Sequence, residues 1–240
     1  MKFPVDREST KKNPIRTGSR KARANTIMLK TPRILLILVI PIVFVIIFLS
    51  TFFSFLYNIN YYEKEYKKYN IYERFSAEKA RNETLSLFGY FKSRNKLDGS
   101  FFNKNEISHL SDVKMLIDKV SRVYYICLFL FWGILVYFYL SKTFISYFGK
   151  LLLYSGIFSL SVILLLGFLY LISGFDFLFV RFHEVFFTGN YAFDPDVSNM
   201  KALFSDGFFL DICLAVIFQT LLKAILLIVT GRFIIKRSVV

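Results

Sequence analysis

Apolar positions along the chain gather into four long blocks, Ile34 to Tyr57, Val123 to Leu140, Leu151 to Ser173 and about Phe208 to Val229. Each block reaches or approaches the roughly 20 residues that an α-helix needs to cross a ~30 Å hydrocarbon core. Polar stretches separate them. The pattern predicts an all-α polytopic membrane protein of four transmembrane helices, spanning about 34–57, 123–140, 151–173 and 208–229. Outer loops 58–122 and 174–207 would form a small extracytoplasmic cap over the membrane domain, 34–240. The first block exceeds the ~7–15 apolar residues of a signal peptide, and no small-x-small site follows it, so it reads as a retained anchor.

The polar stretches carry local signals. Glu73 to Lys92 has helix-forming composition, and Asp98-Gly99-Ser100 reads as a turn. Asn103 followed by Glu106 is the spacing of a helix N-cap with a reciprocal carboxylate. A helix starting there can run unbroken through His109 and Asp112 into the second span. The second loop is rich in aromatics, with Phe175, Phe177, Phe179, Phe182, Phe186, Phe187, Tyr191 and Phe193, and Gly189-Asn190 and Asp194-Pro195-Asp196 read as turns. It reads either as an interfacial or re-entrant segment or as the wall of a lipid-facing pocket. In the fourth span Asp211, Gln219 and Lys223 share one helix face, and charges at that depth usually face the bundle interior.

Charge sets the expected topology. The formal net charge is +14, drawn mainly from the first loop and the segment before the first block. Residues 1–33, with Pro4, Pro14 and Gly18 among many Lys and Arg, read as a disordered basic cytoplasmic tail that could touch anionic lipid. No folded basic surface accompanies it, which argues against nucleic acid as a partner. Positive-inside bias places both termini in the cytoplasm and both histidine-bearing loops outside; the first loop is basic but long enough to translocate regardless of charge. Cys127 and Cys213 sit in or at the end of apolar blocks, without C-x-x-C spacing, and read as small buried hydrophobes.

The chain holds only 2 histidines. His109 lies in Glu106-Ile-Ser-His109-Leu-Ser-Asp112-Val-Lys114 and His183 in Phe182-His183-Glu184-Val-Phe186-Phe187. Two predicted spans separate them, so both face the same side of the membrane. Imidazole titrates near neutral pH, which makes a facing pair a candidate acid/base site. Asp112 is His109's neighbour one helical turn on and could orient the ring, although such a pair can equally be a solvated helix end. A zinc site built from both histidines with Asp112 or Glu184 lacks metal-site spacing, so no metal is expected. A non-catalytic membrane protein or small transporter would instead use the polar row of the fourth span, but no inverted repeat is visible.

Taken together, the two histidine motifs resemble those of the bacterial lipoprotein intramolecular transacylase family. The resemblance rests on Glu106, His109, Asp112, Val113 and Lys114 before the second span. It continues in Phe182 to Phe187, Phe193-Asp194-Pro195 and Phe208-Phe209 before the fourth. Ala192, Ser198 and Ser205 stand where the family pattern has an aromatic, an Asp and a Pro. The resemblance implies a four-span bacterial cell-membrane enzyme that acts on diacylated lipoproteins within membrane lipid. It would move one acyl chain from the diacylglyceryl group of the N-terminal cysteine to that cysteine's α-amine. Ester becomes amide, so the reaction runs downhill without ATP or any cofactor. On this reading His109 and His183 are catalytic, and Asp112, Glu184, Asn190 and Asp194 support them, with Asp112 or Glu184 fixing a tautomer.

Overall fold

The computed structural model describes the backbone of residues 15–187 and 191–238, and the side chains from 33 onward within those ranges except Ser146. Among the described residues seven α-helices run in the order α1 (Ile15–Leu56), α2 (Ile59–Lys68), α3 (Ala77–Phe91), α4 (Lys104–Leu140), α5 (Phe144–Phe186), α6 (Asn199–Leu203) and α7 (Asp206–Arg237). Helices α1, α4, α5 and α7 carry the four apolar blocks. Their outward faces are apolar and uncovered, with Phe129 79% and Leu171 81% exposed, as suits helices solvated by lipid. Cys213 is exposed and Cys127 half-buried, so neither is the fully buried hydrophobe that its apolar setting suggested.

Two expected boundaries move. Of the segment expected to be disordered, residues 1–14 lie outside the described residues, and 15–33 continue α1 as helix. Lys, Arg, Ala, Leu and Met there are good helix formers, and one internal Gly costs only about 1 kcal/mol. The second loop also begins later than its polarity suggested. Helix α5 breaks at Gly174, whose φ of 74° and ψ of 169° belong to a region essentially reserved for glycine, and then resumes to Phe186.

Helices α5 and α7 approach closely through small residues. A Cβ on Gly156 would lie 2.7 Å from the Ala224 carbonyl oxygen, and one on Gly231 would lie 2.5 Å from the Leu153 nitrogen. Small residues are the usual means of close helix approach in membranes. Gly231→Leu is therefore expected to cost about 1–3 kcal/mol through overpacking, read as a lower unfolding temperature in detergent. Elsewhere Leu36, Val39 and Val43 of α1 bury against Leu151 of α5.

One core at the cap end joins the two segments read as loops. Tyr62, Tyr66, Leu87, Phe88, Phe101 and Phe102 pack with Met200, Leu203, Phe204 and Phe208. Polar links cross the same seam. Arg74 donates to the carbonyls of Pro195 at 2.5 Å and Asp196 at 3.1 Å, and Asn199 Nδ2 donates to the Phe101 carbonyl at 2.8 Å. The Tyr66 and Thr84 hydroxyls, 2.7 Å apart, tie α2 to α3. The polar row of the fourth span is divided between structural partners. Asp211 accepts from Lys68 and, at 2.6 Å, from the Tyr69 hydroxyl, while Lys223 donates to Thr51 Oγ1 at 2.7 Å.

Candidate active site

Helix α4 is 37 residues long, about 55 Å at 1.5 Å per residue and far more than the ~30 Å of hydrocarbon. Its first half holds Lys104, Glu106, Asp112, Lys114, Asp118, Lys119 and Arg122, so this half stands clear of the span at 123–140. The predicted cap starts it: Asn103 Oδ1 accepts from the Asn105 and Glu106 nitrogens, and Glu106 Oε2 accepts from the Asn103 nitrogen at 2.7 Å. His109 follows one turn later. Beyond Gly174, the second part of α5 carries Asp176, Arg181 and Glu184 and likewise lies outside the apolar span. It delivers His183.

The two histidines meet. Their ring centroids are 6.1 Å apart and the planes differ by 20°. Both residues are buried, each 8% exposed. Aromatic rings enclose them: Phe187 and Phe193 lie 5.0 and 5.5 Å from His109, and Phe179 and Tyr191 lie 4.2 and 5.0 Å from His183. His183 Nδ1 lies 2.8 Å from the Phe179 carbonyl oxygen. A carbonyl can only accept, so Nδ1 carries the proton, and in the neutral ring the Nε2 lone pair is left free. Burial among apolar rings disfavours the imidazolium. It holds His109 at about 4, with His183 adding to the depression and Asp112 opposing it. Burial also lowers His183, but the Phe179 carbonyl pulls its pKa upward.

Glu106 is the polar hub beside the pair. It is 1% exposed, and its Oε1 accepts from Ser198 Oγ at 2.5 Å and from the Met200 nitrogen at 2.9 Å. One carboxylate thus caps α4 and binds the second segment to it. Asp194 forms the turn leading there: its Oδ1 accepts from the Asp196 nitrogen, and its carbonyl oxygen accepts from the Ser198 nitrogen, both at 2.9 Å. Glu184 is turned away into an ion pair with Arg181 at 2.6 Å. Among the described residues Asp112 makes no hydrogen bond or ion pair. The tautomer of His183 is therefore set by a backbone carbonyl and not by either carboxylate. Asn190 lies outside the described residues. The sequence offered no signal for the link from Glu106 to Ser198, whose partners stand 92 positions apart.

The four-span bundle that carries this pair has counterparts among known proteins. The family model described as lipoprotein intramolecular transacylase Lit matches residues 35–209. The chain belongs to this family. It is therefore an integral membrane acyltransferase of the lipoprotein intramolecular transacylase kind. The structure of membrane integral Lit from Bacillus cereus superposes with a TM-score of 0.77 at 21% identity, covering 87% of this chain and 98% of that one. A form of that protein with a histidine replaced by arginine gives a TM-score of 0.76 at 21% identity, covering 90% of this chain and 98% of its own. A form with alanine there gives 0.76 at 20%, again covering 90% and 98%. No curated protein matches the chain.

In this transacylase Ser198 and Ser205 are both helix caps. Ser198, 2% exposed, caps α6 by accepting from the Lys201 nitrogen at 3.0 Å while donating to Glu106. Ser205 caps α7, accepting from the Phe208 nitrogen at 3.3 Å.

Proposed function

We propose that His109 and His183 carry out the transfer of an acyl chain from the diacylglyceryl ester of a lipoprotein's N-terminal cysteine to the α-amine of the same cysteine. The stacked, buried histidine pair is the observation that supports it. A centroid spacing of 6.1 Å is about twice the ~3 Å reach expected between a catalytic group and a reacting atom. His183 is the base. Its free Nε2 accepts a proton from the α-ammonium, and the Phe179 carbonyl stabilises the imidazolium that results. His109, held neutral, offers a ring N–H to the tetrahedral oxyanion, as a neutral imidazole can without itself giving up charge.

The amine nitrogen bonds to the carbonyl carbon, the carbon–oxygen bond to glycerol breaks, and the glyceryl oxygen takes a proton from His183. Ammonium and ester thus become amide and alcohol, with one proton released. Holding both groups on one molecule supplies much of the rate as effective molarity. The substrate reaches the site from the bacterial cell membrane, with the histidine-bearing segments extracytoplasmic and both termini cytoplasmic, as the distribution of Lys and Arg favours.

The pH profile tests the assignment. An unperturbed imidazole titrates near 6.5 and an α-ammonium near 8. Because burial lowers both histidines, kcat/KM is expected to keep its value below pH 6.5. Its alkaline limb should fall near the α-amine value. An acid limb at or above 6.5 would contradict the buried-base assignment. The same shift bears on stability: between about 4 and 6.5 the unfolded chain binds the proton that folded His109 refuses, so stability is lost as pH falls through that window.

A further inference from the structure

A groove of about 540 Å³ lies between α1, α4 and the end of α5. Its walls include Leu49, Leu116, Val120 and Phe186, and its two charged lining residues are Asp112 and Lys119. Asp112 and Phe186 each stand three positions past a histidine, so the head of the groove lies about one helical turn along from each. From Asp112 to Val123, which also lines it, the groove follows α4 for about 16 Å toward the hydrocarbon.

We infer that this groove seats one acyl chain of the lipoprotein substrate, with Asp112 at its head taking the α-ammonium. The inference rests on the transacylase reading above. Volume and lining suit it, since ligand sites are mostly apolar with a few placed polar groups. Charge gives the groove a direction. Asp112, half-buried and without an ion pair among the described residues, is an open site for a cation one turn from His109. Lys119 lies about 10 Å further along α4, at the apolar end, and repels an ammonium from that end. Amine up and chain down is the one orientation that satisfies both charges. It also sets the ammonium one helical turn from His109.

Two variants test this with diacylated lipopeptides carrying either octanoyl or palmitoyl chains. Val120→Trp narrows the groove, and the palmitoyl-to-octanoyl ratio of kcat/KM is expected to fall about tenfold. An unchanged ratio overturns the groove assignment while leaving the transacylase reading intact, because the wild-type protein still turns over. A wild type that forms no product with either chain overturns both. The second test needs no turnover and uses an ether-linked, unreactive lipopeptide with its amine either free or acetylated. Wild type is expected to bind the free amine about tenfold more tightly, and Asp112→Asn to erase that preference. A preference that survives the substitution rules out Asp112 as the ammonium site.

Discussion

His183→Ala is expected to lower kcat/KM about a thousandfold, within the 10²–10⁴ range that general base catalysis contributes. The reason is specific to this ring. His183 Nδ1 is committed to the Phe179 carbonyl at 2.8 Å, so in the proposed mechanism its other nitrogen takes the proton, and alanine supplies no acceptor. His109→Ala removes an oxyanion donor and is expected to cost about 10²–10³. Because the proposed mechanism has both act on one tetrahedral intermediate, the double variant should be scarcely worse than the His183 single, as groups working as a unit are strongly non-additive. Kinetics on a diacylated lipopeptide measure all three. A single variant that stays within a few-fold of wild type would remove that histidine from the mechanism.

The second large effect concerns stability. Glu106→Ala deletes the acceptor for the Asn103 nitrogen, the Ser198 hydroxyl and the Met200 nitrogen together. Each donor left buried and unpaired costs about 1–3 kcal/mol, so a total loss of several kcal/mol is expected. That is a large fraction of the 5–15 kcal/mol margin of a folded protein. The cap should separate from α4 before the bundle melts, because two of the three links that Glu106 makes cross that seam. Limited proteolysis between 191 and 205 reads this directly, with rapid cleavage expected in Glu106→Ala. Ser198→Ala removes only one of the three contacts and should show a smaller effect. Protection equal to wild type in Glu106→Ala would show that the apolar cap core holds the seam alone.

How much of this was legible in sequence follows from the range of each interaction. Apolar block length is a local property, and all four spans were legible. The Asn103–Glu106 cap is also local, and it sits in the structure as its spacing predicts. The helix past Gly174 was read as loop because a glycine followed by mixed aromatic and polar residues carries no clear period. Only the backbone shows Gly174 as a kink between two helical stretches. The role of Glu106 was half visible: one carboxylate oxygen serves its own cap, while the other serves partners 92 and 94 positions away. Asp211 and Lys223 share a helix face in sequence, yet α2 claims one and α1 the other, which divides the row that a transport reading needed. Asp112 and Glu184 were read as partners for the histidines from proximity along the helix. The ring of His183 instead bonds the carbonyl one turn behind it, a contact that spacing between side chains cannot reveal.

Intramolecular transfer is an isomerisation: the product keeps the substrate's mass and only the position of one acyl chain changes. The most direct measurement therefore gives the protein an equal mixture of two diacylated lipopeptides, distinguished by isotope labels in both peptide and chains, and maps the products by tandem mass spectrometry. Products of unchanged mass are predicted, with one chain on the α-nitrogen, one on glycerol, and no exchange of chains between labelled peptides. Chains crossing between peptides, or released fatty acid in place of the amide, would contradict transfer within a single substrate.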